Sequence, residues 1–99
     1  MNYMMQMNNF WVRRRIKRIK SGAADLYFAL LEVSNSIGWN LEVSVSNTLL
    51  MGMTGLSKSG FMRARQELID NGYILYHYGS GSQKGIYTLK EFTYDKLFK

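Results

Sequence analysis

Cysteine is absent from this 99-residue chain, and histidine occurs once, as His77. The absence of cysteine excludes disulfides and thiolate metal sites, and one histidine is too few for an imidazole cluster. We therefore expect no metal ion and no cofactor, and the composition suits a reducing cytoplasm. Since no serine, cysteine or carboxylate pair has an evident partnership with His77, we expect a protein without enzymatic activity.

Long apolar runs are also missing. The longest are far shorter than the roughly 18 residues that suggest a membrane span, and the first basic run follows the apolar residues instead of preceding them. We expect neither a membrane anchor nor a signal peptide. Binding of the basic N-terminal segment to anionic lipid is a weaker alternative, because that segment has a narrow apolar face.

Acidic residues are missing from the first 22 positions, although the chain has seven acidic and 13 basic side chains and a formal charge of +6. The basic residues of this segment account for the excess, because the remainder of the chain is neutral overall. Any broad electropositive field should therefore start here. The basic residues of the segment are Arg13, Arg14, Arg15, Lys17, Arg18 and Lys20.

Apolar residues at helical spacing predict two helices in the first part of the chain. Within residues 1–20, a short basic amphipathic helix is predicted by Val12, Ile16 and Ile19. A core helix follows, with Ser21 as its N-cap and Gly38 as a left-handed stop. Its apolar positions are Ala23, Leu26, Tyr27, Leu30, Val33 and Ile37.

The middle of the chain predicts a strand and two short helices. Alternating apolar and polar residues over 41–45 predict an edge strand. Ser46 can cap the next helix, Gly55 allows a tight turn, and Ser57 can cap the helix after it. The predicted inward positions of the first of these two helices are Leu49, Leu50 and Met53.

The last predicted helix leads into a β-hairpin. Phe61, Ala64 and Leu68 share one face of this helix, which leaves the other face polar and basic. Asn71-Gly72 ends the helix, and two aromatic and β-branched strands follow, joined by a Gly/Ser loop. The strands are Tyr73–Tyr78 and Ile86–Leu89, and the loop is Gly79–Gly85. Because strands flank the loop on both sides, we do not expect it to bind nucleotides.

This order of elements predicts a mostly helical α+β fold, a winged helix-turn-helix with a small β-hairpin wing and an additional basic N-terminal helix. We divide the chain into a basic N-terminal arm or helix (1–20), the winged helix-turn-helix domain (21–89) and a C-terminal tail or start of a linker (90–99).

Double-stranded DNA is the usual partner of this architecture. We expect the last helix in the major groove and the basic arm and the wing on phosphates, unless these polar faces are only solvated. The candidate DNA-binding residues are Arg13, Arg14, Arg15, Lys17, Arg18, Lys20, Asn47, Lys58, Ser59, Met62, Arg63, Gln66 and Lys84. The orientation of Arg65 stays open, because it lies at the edge of the buried stripe.

The N-terminus is rich in methionine and aromatic residues, which predicts an adaptable apolar contact with a second copy of the chain. We therefore expect a homodimer or higher oligomer. Packing of the same side chains on their own core is the alternative. The residues are Met4, Met5, Met7, Phe10 and Trp11.

Several short segments follow one another in a recognisable order. They are Asn9-Phe10-Trp11, Leu26-Tyr27-Phe28-Ala29-Leu30-Leu31, Gly38-Trp39, Val45-Ser46-Asn47, Gly55-Leu56-Ser57, Arg63-Ala64-Arg65-Gln66-Glu67-Leu68-Ile69, Asn71-Gly72-Tyr73-Ile74 and Gly85-Ile86-Tyr87. In this order they resemble the N-terminal winged-helix domain of DnaD-like phage replication initiation proteins. Such proteins usually continue into a helical C-terminal domain, and the run Arg13-Arg14-Arg15 is more basic than their pattern.

The resemblance implies a helicase-loader accessory protein of a phage or mobile element, acting in the cytoplasm of a bacterial host. It also implies a domain that self-associates and binds origin DNA or a replication initiator. Two other functions stay open. One is a module that self-associates and binds an initiator without contacting DNA, and the other is a winged-helix transcriptional regulator, which would need a palindromic operator.

Overall fold

A computed structural model describes residues 3–78 and 84–91. These residues form a mostly helical α+β fold, as predicted, with four helices and a three-stranded antiparallel sheet. The helices are α1 (Tyr3–Ile16), α2 (Ser21–Ser36), α3 (Asn47–Thr54) and α4 (Lys58–Asp70), and the strands are β1 (Glu42–Ser46), β2 (Ile74–Tyr78) and β3 (Lys84–Leu89). The predicted hairpin tip and most of the predicted tail lie outside the described residues.

Helix α2 is the centre of the core and packs against α3, α4 and β1. Leu26, Tyr27 and Leu30 are fully buried, as the helical spacing predicted. Gly38, with φ of +88°, follows its C-terminus in the left-handed conformation that was expected. None of the described helices is long and apolar enough to cross a bilayer.

The predicted N-cap of α2 is wrong by one residue. Lys20 holds the extended N-cap position, and its side chain makes no capping hydrogen bond. A carboxylate from another helix takes part instead: the backbone N–H of Lys20 donates to Glu67 Oε2 of α4 at 2.8 Å. A negative charge at a helix N-terminus is favourable, so this contact joins α4 to the start of α2.

Helices α3 and α4 begin and end where local sequence predicts. The side chain of Ser46 accepts a hydrogen bond from Leu49 N, and that of Ser57 accepts one from Gly60 N. Gly55 ends α3 with φ of +73°. The predicted inward face of α3 is only partly right, because Leu49 is 51% exposed and Met53 is 42% exposed. In this short helix only Leu50 is buried.

The sheet has the order β1-β3-β2, which makes β1 an edge strand as predicted. In the register, Ser46 lies opposite Lys84, and Tyr76 lies opposite Tyr87. Gly85 belongs to β3 and not to the loop that was predicted for it. The ring of Tyr76 lies directly over Gly85, so a side chain at this position would collide with the ring.

Helix α1 is an integral part of the core and not a separate arm. Phe10 is fully buried and stacks on Tyr27, with ring centroids 4.7 Å apart and an interplanar angle of 17°. Gln6 is also buried, and its Nε2 donates to Tyr27 Oη at 2.8 Å and to the carbonyl of Lys90 at 2.7 Å. The predicted self-association contact is therefore wrong for Phe10, because this ring packs inside its own domain.

The predicted apolar face of the N-terminal helix is also corrected. α1 ends at Ile16, which is 47% exposed, whereas Ile19 lies beyond the helix and is 7% exposed. The chain turns away from helical geometry after Ile16, so the two isoleucines do not share a helix face.

Replacing Phe10 with alanine should lower the free energy of unfolding by about 3–5 kcal/mol, because it removes a fully buried ring and leaves a cavity. Urea denaturation would measure the change. The matched control is Met4→Ala on the same helix, where the side chain is 68% exposed and the expected change is about 0.5 kcal/mol or less. Equal stability of Phe10→Ala and the wild type would contradict the docking of α1.

Candidate nucleic-acid interface

The outward face of α4 is polar and carries two basic residues. Phe61, Ala64 and Leu68 are buried, which confirms the predicted inward stripe of this helix. The residues predicted to point away from the core are all exposed: Lys58, Ser59, Met62, Arg63 and Gln66. Since the positive end of the helix dipole lies at Lys58, the first half of α4 is the more favourable half for an anion.

The C-terminal half of the same face is less suited to a phosphate or a base. Gln66 Nε2 donates to Asp70 Oδ1 at 2.8 Å, so the amide that was predicted to read a base is engaged with an acid one turn away. An adenine edge would have to displace this hydrogen bond. Of the predicted DNA-binding residues on α4, Lys58, Ser59, Met62 and Arg63 are therefore the exposed ones that lie in the half more favourable for an anion.

One flank of α4 faces the junction between α1 and α2. Lys20 and Arg63 line the same groove, together with Glu67, Gly22, Gly60 and Leu56. The contact between Lys20 N and Glu67 fixes this flank, because it ties the end of the basic run to α4. Two cations from distant parts of the sequence thereby reach one surface.

The basic segment, residues 13–20, is held by a hydrogen bond from Tyr73 and by one within the segment. Tyr73 Oη donates to the carbonyl of Lys17 at 2.5 Å, and Arg14 Nη2 donates to the carbonyl of Ile19 at 3.3 Å. Burial of Ile19 adds an apolar anchor. The segment therefore presents its exposed cations from a defined backbone.

The six predicted phosphate-binding cations fall into two groups. Arg13 and Arg14 are half-buried, and Arg13 Nη2 donates to the carbonyl of Asn71, the C-cap of α4, at 3.2 Å. A cation at a helix C-terminus is favourable, so Arg13 stabilises the packing of α1 on α4. The exposed cations are Arg15, Lys17, Arg18 and Lys20.

The other flank of α4 faces the base of the hairpin and depends on Arg65. This side chain is only 8% exposed. Its Nη1 donates to Asn47 Oδ1 at 3.2 Å and to Tyr87 Oη at 3.1 Å, and its Cζ lies 4.1 Å from the centroid of the Tyr76 ring. Asn47, predicted to contact DNA, is thus half-buried and bound to Arg65. Lys84 is exposed and pairs with Ser46, the residue that precedes Asn47.

Arg65 is the residue of this surface whose orientation the sequence left open. Its contacts are an amide, a hydroxyl, a thioether and two aromatic rings, and none of these groups is a carboxylate. Aromatic faces attract a guanidinium, which lowers the cost of burying this charge. The position at the edge of the buried stripe was the available signal.

Burial changes the titration of the tyrosines that hold this surface together. Desolvation raises the pKa of Tyr73 to about 12, although the guanidinium groups of Arg13 and Arg14 act in the opposite direction. Desolvation also raises the pKa of Tyr27 and, against the effect of Arg65, that of Tyr87. The folded state therefore favours neutral phenols at these positions.

The predicted self-association residues separate into exposed and buried ones. Met4, Met5 and Trp11 are 68%, 50% and 51% exposed. Met7 is half-buried, and Phe10 is in the core.

Within the described residues, no group of three acidic or histidine side chains is placed to hold a metal ion.

Comparison of the chain with protein-family models, with curated proteins and with solved structures finds no match.

Alkaline pH should destabilise the protein through Tyr73. A raised pKa in the folded state means that the unfolded chain loses the phenolic proton first, so stability is full below about pH 10 and falls as the pH rises toward 12. Tyr73→Phe should show a shallower decline over this window, measured by urea denaturation at several pH values.

At neutral pH the same variant should be less stable by about 1 kcal/mol, because the carbonyl of Lys17 loses its donor. Tyr78→Phe, at a position that is 66% exposed, is the matched control and should change neutral stability little. An alkaline decline in Tyr73→Phe as steep as in the wild type would contradict the assignment.

Proposed function

We propose that this chain is a winged helix-turn-helix domain that binds double-stranded DNA. In this proposal α4 enters the major groove, and the basic segment and the hairpin of β2 and β3 contact phosphates on either side. The observation that carries the proposal is the position of the exposed face of α4, between Lys20 on one flank and Lys84 on the other.

The electrostatics of this surface fit a polyanion. Exposed cations come from the basic segment, from α4 and from the start of β3, and Glu67, the nearest acid on α4, is engaged with the N-terminus of α2. An α-helix fits the width of the major groove, and a cation at its exposed N-terminal half can reach base edges or phosphates. In this arrangement Arg63 is the residue that we expect to contact a base or its nearest phosphate.

The biological role that we propose is replication initiation in a phage or mobile element, as a helicase-loader accessory protein. This role is supported by the ordered segments that resemble DnaD-like proteins. A transcriptional regulator would use the same surface and would differ in its target, because a two-fold dimer requires a palindromic operator with half-sites about one helical turn apart.

Self-association is a second candidate function, and the exposure of Met4 and Met5 on α1 favours it. Flexible thioethers suit an adaptable apolar contact between copies. This function is compatible with DNA binding, because these methionines precede the basic segment and lie at the other end of α1.

Removing three exposed cations from the basic segment should change the salt dependence of duplex binding. We expect the triple variant Arg15→Gln, Lys17→Gln, Arg18→Gln to lose about three units from the slope of log K against log salt, since each phosphate contact contributes about 0.9. Fluorescence anisotropy with a labelled duplex between about 50 and 200 mM salt would measure this. Arg63→Gln should weaken binding about tenfold.

The two ends of β3 provide a matched pair of charge controls. Lys84→Gln should lose about one unit of slope, whereas Lys90→Gln, just past the other end of the strand, should leave the slope unchanged. Absence of duplex binding at low salt by the folded protein would refute DNA binding. If sedimentation then showed mass rising with protein concentration, self-association would become the leading function.

A further inference from the structure

A second surface with recognisable chemistry lies on α1 and the residues after it. An open pocket there is lined by Trp11, Arg14, Arg15, Arg18 and Ile19. Three of the five residues carry a positive charge, and none is acidic. The pocket shares no lining residue with the groove between Lys20 and Arg63, so it is a separate site.

Trp11 has an exposed ring that is nevertheless held in place. The side chain is 51% exposed. Its ring meets Phe10 edge-on at 5.5 Å between centroids and Phe28 at 6.0 Å. Because both neighbours belong to the buried or half-buried core, Trp11 presents a fixed aromatic surface to solvent.

One guanidinium group lies over this ring, and two more line the same pocket. The Cζ of Arg14 lies 5.5 Å from the centroid of Trp11, and its Nη2 is bound to the carbonyl of Ile19. Arg15 and Arg18 are exposed. A pocket that holds one aromatic ring and three cations offers a stacking surface and phosphate contacts together.

We propose that this pocket binds single-stranded nucleic acid, with a base stacked on Trp11 and the flanking phosphates on Arg15 and Arg18. Unpaired bases expose a π-face and carry a phosphate on each side, which matches this combination of groups. Bases in a duplex are stacked on one another and cannot reach the ring, so the pocket selects single strands. An acidic peptide would pair with the guanidinium groups but leave the aromatic surface exposed.

The proposal does not depend on duplex binding by α4. Arg15 and Arg18 are proposed phosphate contacts in both binding modes, whereas Trp11 belongs only to the pocket and Arg63 only to the α4 surface. Variants of Trp11 and of Arg63 therefore separate the two modes. Arg63→Gln serves as a charge control for the pocket, and Trp11 variants serve as a control for the α4 surface.

Tryptophan fluorescence gives a direct test. The chain has two tryptophans, so Trp39→Phe leaves Trp11 as the only one. Titration of this variant with an unlabelled thymidine dodecamer should quench the fluorescence of Trp11 as bases stack on it. An otherwise identical abasic dodecamer should bind at least about tenfold more weakly, because it keeps the phosphates and lacks the bases.

Anisotropy with a labelled dodecamer separates stacking from charge. Trp11→Ala should weaken binding about tenfold or more, and Trp11→Phe should retain most of the affinity. Arg15→Gln with Arg18→Gln should lower the salt slope by about 1.4, since each single-strand contact contributes about 0.7. Arg63→Gln should leave single-strand affinity within about twofold. Circular dichroism would check the fold of each variant, and the phenylalanine and glutamine variants keep the test valid if Trp11→Ala does not fold.

Three results would overturn the proposal: equal affinity for the abasic and thymidine dodecamers, no quenching on saturation, or binding of polyglutamate as tight as that of the thymidine dodecamer. Failure of these tests with duplex binding intact would remove this site and leave the proposed function standing. Loss of duplex binding with dodecamer binding intact would do the reverse.

Discussion

Three buried aromatic rings hold the basic segment against the core. Phe10 of α1, Tyr27 of α2 and Tyr73 after α4 contact one another, with ring centroids between 4.7 and 5.8 Å apart. Each ring comes from a different part of the sequence, so their contact fixes α1 against α2 and the end of α4. The hydroxyl of Tyr73 then binds the carbonyl of Lys17. Together with the hydrogen bonds from Lys20 N to Glu67 and from Arg13 to the carbonyl of Asn71, this cluster fixes the basic segment beside α4.

Local sequence was sufficient for the caps of α3 and α4 and for the glycine after α2, although not for the N-cap of α2. Ser46 and Ser57 cap their helices, and Gly38 and Gly55 adopt the left-handed conformation, because these effects need only neighbouring residues. The α4 stripe was predictable for the same reason, since period 3.6 follows from helix geometry. The exposed face of α4 could therefore be predicted from the sequence.

Contacts between distant residues were not accessible in this way. The carboxylate at the start of α2 belongs to Glu67, 47 positions away from Lys20. Gln6 and Phe10 are buried against Tyr27. Periodicity predicts that Tyr27 is buried but not which residues contact it. Charge patterns likewise do not distinguish an outward cation from Arg65, whose partners are supplied by α3 and the sheet. Charge patterns also do not show that Arg13 and Arg14 are half-buried, so four of the six cations predicted for the basic segment are exposed.

The most direct test of this account is a nuclear magnetic resonance titration of the ¹⁵N-labelled protein with a short duplex. We predict that chemical-shift changes concentrate on the first half of α4, on the exposed cations of the basic segment and near Lys84. The signals of Glu32 and Ile37, which are exposed at the C-terminal end of α2, should stay unchanged. Changes confined to the N-terminal half of α1, around Met4 and Met5, or the absence of changes at saturating duplex, would contradict it.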